Sequence, residues 1–183
     1  MLNTLPNELF VEQPFQTTVC ENVFLEGIGL HSGRFVRMVI RPAPANSGIK
    51  FCRMDISGQL STVIAHASYL EQARLCTRIV NSEGITLETI EHLMAAFAGL
   101  GLDNAVIETD ASEAPILDGS SQPILDAITN VGLEALPAKR KLMVVTKPVE
   151  VQLEPGAWAR LDPSDHLQID VKIEFDDHVI GKQ

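Results

Sequence analysis

The sequence has few basic side chains: Lys and Arg number 14 against 24 Asp and Glu, and the net charge is -10. Nucleic acids and anionic membrane surfaces both attract basic patches, so this charge argues against either as a partner. No apolar run approaches the roughly 18–20 residues of a membrane span. The opening residues, MLNTLPNE, lack the basic start and the small-residue cleavage site of a secretory signal. We therefore expect a cytoplasmic protein without a membrane span.

Cysteine is also sparse. The three cysteines, Cys20, Cys52 and Cys76, are widely spaced and form no paired motif. Such a set fits reduced thiols in a cytoplasm better than a disulfide framework. With 183 residues, 45% of them hydrophobic, the chain can form one domain with a sizeable core and part of a second.

The most informative segment is TLETIEHLMAAF at residues 86–97, which predicts a helix. We expect this helix to begin at Thr86 as a capping residue and to end at Gly99 and Gly101. Its apolar side chains fall on one stripe, formed by Leu87, Ile90, Leu93, Met94 and Phe97. The stripe predicts which side of the helix faces the core.

Glu91 and His92 fall away from that stripe. The surrounding residues Ala95, Ala96 and Gly99 are small, so we expect a second element to pack closely against this face. An adjacent carboxylate and imidazole suit a site where Glu moves a proton and His holds a metal. The alternative is structural, because a lone helical His is more often packed than a ligand. The second His of the zinc-protease pattern, four residues later, is absent.

The chain up to residue 137 alternates between β-rich and helical patterns. Strands are expected within residues 15–24, 34–41, 48–54, 76–81 and 105–109. A second helix is expected from Ser121 to a stop at Gly132. Two helices on one sheet predict an α+β fold, a two-layer sheet-and-helix domain at residues 15–137 that follows an N-terminal extension at residues 1–14.

The first strands of a second, incomplete α+β domain are expected at residues 142–183, with β-strands only. The boundary, residues 137–141, combines a proline with the densest basic cluster, and we interpret it as a solvated linker rather than a phosphate clamp. Apolar and polar side chains alternate from Leu167 to Phe175, which predicts a strand with one buried face. Because no helix follows to cover that face, we expect a homodimer or a complex with a larger partner through residues 142–175.

Five stretches in order resemble the UDP-3-O-acyl-N-acetylglucosamine deacetylases, the zinc hydrolases of lipid A biosynthesis. They are GIGLHSG at residues 27–33, RPAPANSG at 41–48, LCT at 75–77, TIEHL and its continuation at 89–104, and PILDGS at 115–120. Together these motifs are highly specific, and the resemblance runs from about residue 15 to the last residue. The sequence is identified as a shortened member of this family.

The resemblance implies metal-assisted hydrolysis of an acetamide on an acylated UDP-N-acetylglucosamine. Glu91 matches the general base and His92 matches one zinc ligand. In the family, a later His and Asp complete the zinc coordination, and a later Lys and His assist the oxyanion and the leaving group. This sequence stops before them. Zinc is therefore expected for the family, weak or absent in this chain alone, and the chain alone is expected to be inactive.

The resemblance also assigns substrate contacts. His31 matches a residue near the acyl-chain passage, and Leu75 and Cys76 belong to the stretch that lines the site. Glu174 and Phe175 align with an Asp-Phe pair that binds the uridine through a carboxylate and a stacked ring. The alternatives are a plain turn histidine at 31, buried apolar side chains at 76 and 175, and a solvated strand residue at 174.

Two functions follow from this pattern. One is an incomplete deacetylase that assembles with a separate remainder or a second copy, as the intact Glu91–His92 pair suggests. The other is a catalytically dead family member that binds the nucleotide sugar or a protein of the lipid A pathway and regulates it. The short chain favours this second function, as does Ala157, which stands where the family has a lysine for the diphosphate.

Overall fold

In a computed structural model of the protein, residues 14–57, 61–153 and 156–183 are described. The chain divides into two compact units, Met1–Arg140 and Lys141–Gln183. The N-terminal extension expected at residues 1–14 lies outside the described residues except for its last position. Among the described residues, no helix is long and apolar enough to cross a lipid bilayer.

The described part of the first unit contains ten strands, two α-helices and a short 3-10 helix at Ala67–Tyr69. The strands are β1 Phe15–Val19, β2 Val23–Ile28, β3 Phe35–Pro42, β4 Ile49–Arg53, β5 Thr62–Ile64, β6 Leu70–Glu71, β7 Arg78–Val80, β8 Thr86–Glu88, β9 Ala105–Thr109 and β10 Leu133–Lys139. The helices are α1 Glu91–Leu100 and α2 Gln122–Val131. The sequence patterns at residues 34–41, 48–54 and 105–109 thus correspond to β3, β4 and β9, and the expected second helix is confirmed as α2.

A five-stranded sheet forms one layer of this unit, in the order β2-β3-β9-β4-β5. Its neighbours are antiparallel except β4 and β9, which run parallel. Alternate side chains on the central strands are buried on one face, as their period-two pattern requires. The two helices contribute their apolar stripes to the same core. Fully buried members from both layers are Met38, Ile40, Phe51, Leu93, Phe97, Ile107, Ile124 and Ile128. The predicted α+β architecture is confirmed.

The prediction that α1 begins with a cap at Thr86 is wrong. Residues Thr86–Glu88 form β8, which pairs antiparallel with β7 in a small sheet of order β6-β7-β8. Thr89 then takes a left-handed backbone, with φ of 59°, and α1 starts at Glu91. Leu87 is fully buried in the strand, as the helical pattern also predicted for it, so the apolar pattern alone did not separate strand from helix. Residues Thr86–Glu88 form a strand because β7 is available to pair with them.

The interpretation of residues 137–141 as a solvated linker is also wrong for the part that lies in the first unit. Strand β10 continues through Pro137 to Lys139 and pairs antiparallel with β1. Arg140 donates from Nε to both carboxylate oxygens of Asp103 at 2.9 Å and from Nη2 to the carbonyl oxygen of Gly101 at 2.6 Å. Gly101 ends α1 in the left-handed conformation, with φ of 72°. The guanidinium therefore binds a carbonyl at the negative end of the helix.

The second unit contains an antiparallel hairpin of β11 Val149–Leu153 and β12 Ala157–Leu161. The strand predicted from Leu167 to Phe175 is wrong, because only its last residues have a ladder partner. Ile173 exchanges two backbone hydrogen bonds with Gln183, and Glu174 forms a single bridge with Lys182. Elsewhere in the described part of the segment the backbone is irregular and the apolar side chains are exposed. Alternation without a neighbouring strand does not make a sheet.

Candidate functional site

The site begins where β8 turns into α1. Thr89 has the left-handed φ that redirects the chain, and its side chain is 2% exposed. Ile90 follows as the N-cap residue and makes no side-chain capping hydrogen bond. Glu91 is the first residue of the helix, where a carboxylate is favoured by the partial positive charge of the helix dipole. Glu91 and His92 are both half-buried.

The Glu91 carboxylate is held by the backbone of the 75–77 stretch. Its Oε2 accepts a hydrogen bond from the Thr77 N–H at 2.9 Å. Its Oε1 has no hydrogen-bond partner among the residues that the structure describes. Leu75, two residues before Thr77, has a left-handed φ of 61° and is 81% exposed, while Cys76 is half-buried. The fold thus brings the LCT stretch and the carboxylate together, with one carboxylate oxygen unpaired.

His92 is linked to the second helix through its main chain. Its carbonyl oxygen accepts from the Ser121 hydroxyl, with an Oγ–O distance of 2.9 Å. Among the described residues, the close packing expected on the face around His92 is found at only one of its three small residues. Ala95 and Gly99 are exposed, and apart from the helix's own nearby backbone no described heavy atom lies within 4 Å of a Cβ built on Gly99. Ala96 is 1% exposed and belongs to the core. Within the described part of this unit, α1 is therefore open at Ala95 and Gly99 and closely packed at Ala96.

The fit of these residues to a zinc ion can be judged from the donors available. A catalytic zinc usually has three protein ligands. Within residues 14–57, 61–153 and 156–183, no group of three or more His, Cys, Asp or Glu side chains is placed to hold a metal ion. His92 supplies one imidazole, with the Glu91 carboxylate adjacent in sequence. The described residues do not by themselves fit a catalytic zinc.

Glu113 is a feature of this region that the sequence analysis missed. It is 2% exposed, and its two carboxylate oxygens accept from the consecutive N–H groups of His31 and Ser32, each at 2.8 Å. Its Oε1 also accepts from the Thr89 hydroxyl at 3.2 Å. His31 itself is exposed, in the turn between β2 and β3. The signal in the sequence was a single carboxylate within the short, mostly small-residue run ASEAP.

The environment of Glu113 favours its ionised form. Burial alone would raise the pKa of this carboxyl, but the hydrogen bonds from the His31 N–H, from Ser32 and from Thr89 outweigh burial and lower the pKa. The turn is built around the charge: a Cβ placed on Gly29 would lie 2.5 Å from the Oε2 of Glu113. Glycine at 29 lets the backbone approach the carboxylate this closely.

Glu174 and Phe175 lie in the second unit. Glu174 has Lys172 and Lys182 within 3.5 and 3.8 Å of its Oε2, and the Phe175 side chain is 56% exposed. The alternative interpretation of Phe175 as a buried residue is therefore wrong. Both residues line an open groove of about 1000 Å³, together with Trp158 and Arg160.

Comparison with known proteins places the chain in a family. The family described as UDP-3-O-acyl N-acetylglycosamine deacetylase matches residues 16–183. Two similar proteins, both named UDP-3-O-acyl-N-acetylglucosamine deacetylase, come from Shewanella pealeana and Shewanella halifaxensis. Each is 44% identical over 168 residues, which is 92% of this chain and 54% of the relative. A relative of the same name from Pseudoalteromonas atlantica is 40% identical over 167 residues, with 91% and 54% covered.

The chain belongs to the UDP-3-O-acyl N-acetylglycosamine deacetylase family, since the match covers nearly all of it. It spans about half the length of the curated relatives that it matches. The matched part includes Glu91, His92, Glu113 and the turn that carries His31.

Proposed function

We propose that this chain takes part in the deacetylation of an acylated UDP-N-acetylglucosamine in lipid A biosynthesis. The observation that carries the proposal is the Glu91 carboxylate at the start of α1, fixed by the Thr77 N–H and adjacent to His92, in a member of a deacetylase family. The reaction would be hydrolysis of an acetamide. Water adds to the carbonyl carbon, the C–N bond breaks, and acetate and a free amine leave.

Glu91 would act as the general base in this reaction. The Thr77 N–H engages Oε2, and no described residue donates to Oε1, so Oε1 is available to accept a proton from the attacking water. A base must lie within hydrogen-bond reach of the proton that it takes, and a carboxylate with one anchored oxygen is preorganised for that. Glu91→Gln would retain the size of the side chain while removing its basicity.

His92 is the residue that we assign to zinc. Zinc in such hydrolases supplies a Lewis acid and activates water. Because the described residues offer no group of three donors, we propose that further ligands come from a separately encoded remainder or from a second copy of the chain. On this proposal the purified chain holds substoichiometric zinc and shows no measurable deacetylation alone.

Substrate contacts are proposed in both units. In the first unit, the exposed His31 is assigned to the acyl-chain passage, and the exposed Leu75 and the half-buried Cys76 are assigned to the lining of the site. In the second, the exposed Phe175 ring would stack on uracil, and Glu174 would accept from the uridine. The Trp158 ring lines the same groove, and an aromatic ring there supports a site for a stacked base.

Association and location are part of the proposal. Apolar side chains of the second unit are exposed, including Leu167 at 77%, Ile169 at 73% and Val171 at 76%. We propose that they are covered in a homodimer or in a complex with a larger partner. The unpaired thiols of Cys20, Cys52 and Cys76 and the acidic composition support a cytoplasmic location, without nucleic acid as a partner.

A regulatory binding protein of the lipid A pathway is the second candidate. The absence of a three-donor cluster among the described residues favours it, as does Ala157 where the family has a lysine for the diphosphate. Such a protein would bind the nucleotide sugar or a protein of the pathway without turning substrate over. Its binding would not depend on Glu91 as a base.

The test measures zinc content and deacetylation together. The chain is purified alone and co-expressed with the part of the Shewanella pealeana relative that it does not match, as wild type, Glu91→Gln and His92→Ala. We expect zinc and turnover only in the co-expressed sample, zinc lost in His92→Ala, and turnover lost in both variants. Glu108→Gln, a carboxylate that pairs with Arg41 on the sheet, is the matched control.

Two results would count against this function. Stoichiometric zinc and turnover in the isolated chain, unaffected by either substitution, would refute the roles given to the pair. Nucleotide-sugar binding that survives both substitutions, with no turnover in any combination, would favour the regulatory protein.

A further inference from the structure

One buried charge in the first unit has no role in the reaction proposed above. Glu113 lies between β9 and α2, and its ionised carboxylate is removed from water. A buried carboxylate is costly unless donors compensate it, and here the donors come from two separate segments. Two are the N–H groups of His31 and Ser32, and the third is the Thr89 hydroxyl.

The first segment is the turn between β2 and β3. Consecutive N–H groups pointing at one anion form a nest, which binds negative charge with two charge-assisted hydrogen bonds. The turn is closed by its own backbone, with the Gly33 N–H donating to the Gly29 carbonyl at 2.9 Å. The direction of the His31 backbone therefore depends on the position of the carboxylate.

The second segment leads into α1. The Glu113 main chain lies beside β8: Glu88 donates to the Ser112 carbonyl at 2.9 Å and accepts from the Ala114 N–H at 3.0 Å. The Glu113 side chain then reaches Thr89, whose left-handed backbone sets the direction of the helix two residues before Glu91. An isolated β-branched residue in this conformation is held by its surroundings.

We infer that Glu113 is a positioning residue that fixes the His31 turn and the start of α1 to each other. One carboxylate accepts from the His31 turn and from Thr89, two residues before Glu91, so both segments are held to the same group. This inference rests on the proposed function of Glu91 for its importance to catalysis. Its physical content, a coupling from Glu113 through Thr89 to Glu91 and Thr77, is measurable without zinc or substrate.

The experiment uses the full chain and measures amide shifts and hydrogen exchange by NMR for wild type, Glu113→Gln and the control Glu108→Gln. Glutamine has nearly the same shape as glutamate, but its NH2 group would face one of the N–H donors of His31 and Ser32. We expect exchange at His31 and Ser32 to rise by on the order of tenfold in Glu113→Gln. The Thr77 amide, which reports the Glu91 carboxylate, is expected to shift as well. Glu108→Gln should leave all three amides unchanged.

A second pair of variants separates positioning from general stability and decides the matter if Glu113→Gln does not fold. Thr89→Ala removes the hydroxyl link, whereas Thr89→Ser retains it. The inference requires that Thr89→Ala shifts the Thr77 amide, that Thr89→Ser retains the wild-type shift, and that the His31 amide is protected in both. Thr77 amides that are the same in Thr89→Ala and Thr89→Ser would overturn the inference, as would loosening confined to His31 and Ser32 in Glu113→Gln. Neither result bears on whether Glu91 is a base.

Discussion

Replacing Ala96 with leucine tests how α1 is seated on the sheet. Ala96 is 1% exposed and lies on the core side of the helix with Leu93 and Phe97. Leucine adds three heavy atoms where the core has no free surface, and overpacking of this kind costs about 1–3 kcal/mol. Intrinsic helix propensity changes little between the two residues, so packing dominates. For a domain of this size, that free energy corresponds to a fall in Tm of roughly 4–12 °C.

The matched control is Ala95→Leu, one position earlier on the same helix. Ala95 is exposed, so the substitution should change the free energy of unfolding by less than about 0.5 kcal/mol. Urea denaturation and thermal melts followed by circular dichroism measure both variants. Equal destabilisation would refute the assignment of Ala96 to the core and Ala95 to an open face. A neutral Ala96→Leu would mean that the helix is rotated from the described position.

Three further predictions follow from particular contacts. Because the pKa of Glu113 is lowered in the folded chain, its contribution to stability is complete above the ordinary Glu value near 4.5 and is lost as the pH falls through the lowered value. Urea titrations should therefore show a loss in wild type below about pH 4.5 that is smaller in Glu113→Gln. Gly29→Ala should destabilise by about 2–3 kcal/mol because the added Cβ would clash with the Ser32 hydroxyl and with that carboxylate. Gly33→Ala, whose φ is 64° and whose Cβ position is empty, should cost only about 1 kcal/mol, and equal costs would contradict the described turn. Light scattering at micromolar concentration should give a mass of at least two chains; a monomer whose residues 142–175 resist proteolysis would contradict the proposed association.

Local sequence patterns were sufficient to predict the elements whose secondary structure is determined by neighbouring residues. Runs rich in β-forming residues placed β3, β4 and β9, and the apolar stripe ending at Gly132 placed α2. The left-handed glycine at 101 ended α1 as expected. These features depend on steric preferences and on which face of a helix or strand is apolar, and both can be recognised within a few residues. The adjacent Glu91 and His92 were likewise visible in the sequence.

Local patterns failed where secondary structure depends on pairing with a segment that is distant in the sequence. Leu87 had the spacing for a helix, but β7 was available as a partner and made Thr86–Glu88 a strand. Residues 167–172 alternate as a strand should, yet among the described residues of their unit no strand pairs with them. Pro137 was predicted to lie in a linker, but its segment pairs with β1 and forms strand β10. A backbone hydrogen bond needs its partner, and the periodicity of one segment does not contain that partner.

The sequence by itself determined the α+β class, the family and the two residues proposed to carry the chemistry. The class depends on the order of local strand and helix patterns, the family on motifs spread along the chain, and the Glu91–His92 pair on residue identity within one helix. The tertiary structure alone decided that the Thr77 N–H holds Glu91 and that Glu113 joins the His31 turn to Thr89. Those contacts join residues 14 to 82 positions apart in the chain. Such separations are set by how sheets and helices pack, and a buried carboxylate can be recognised as compensated only when its donors are in place.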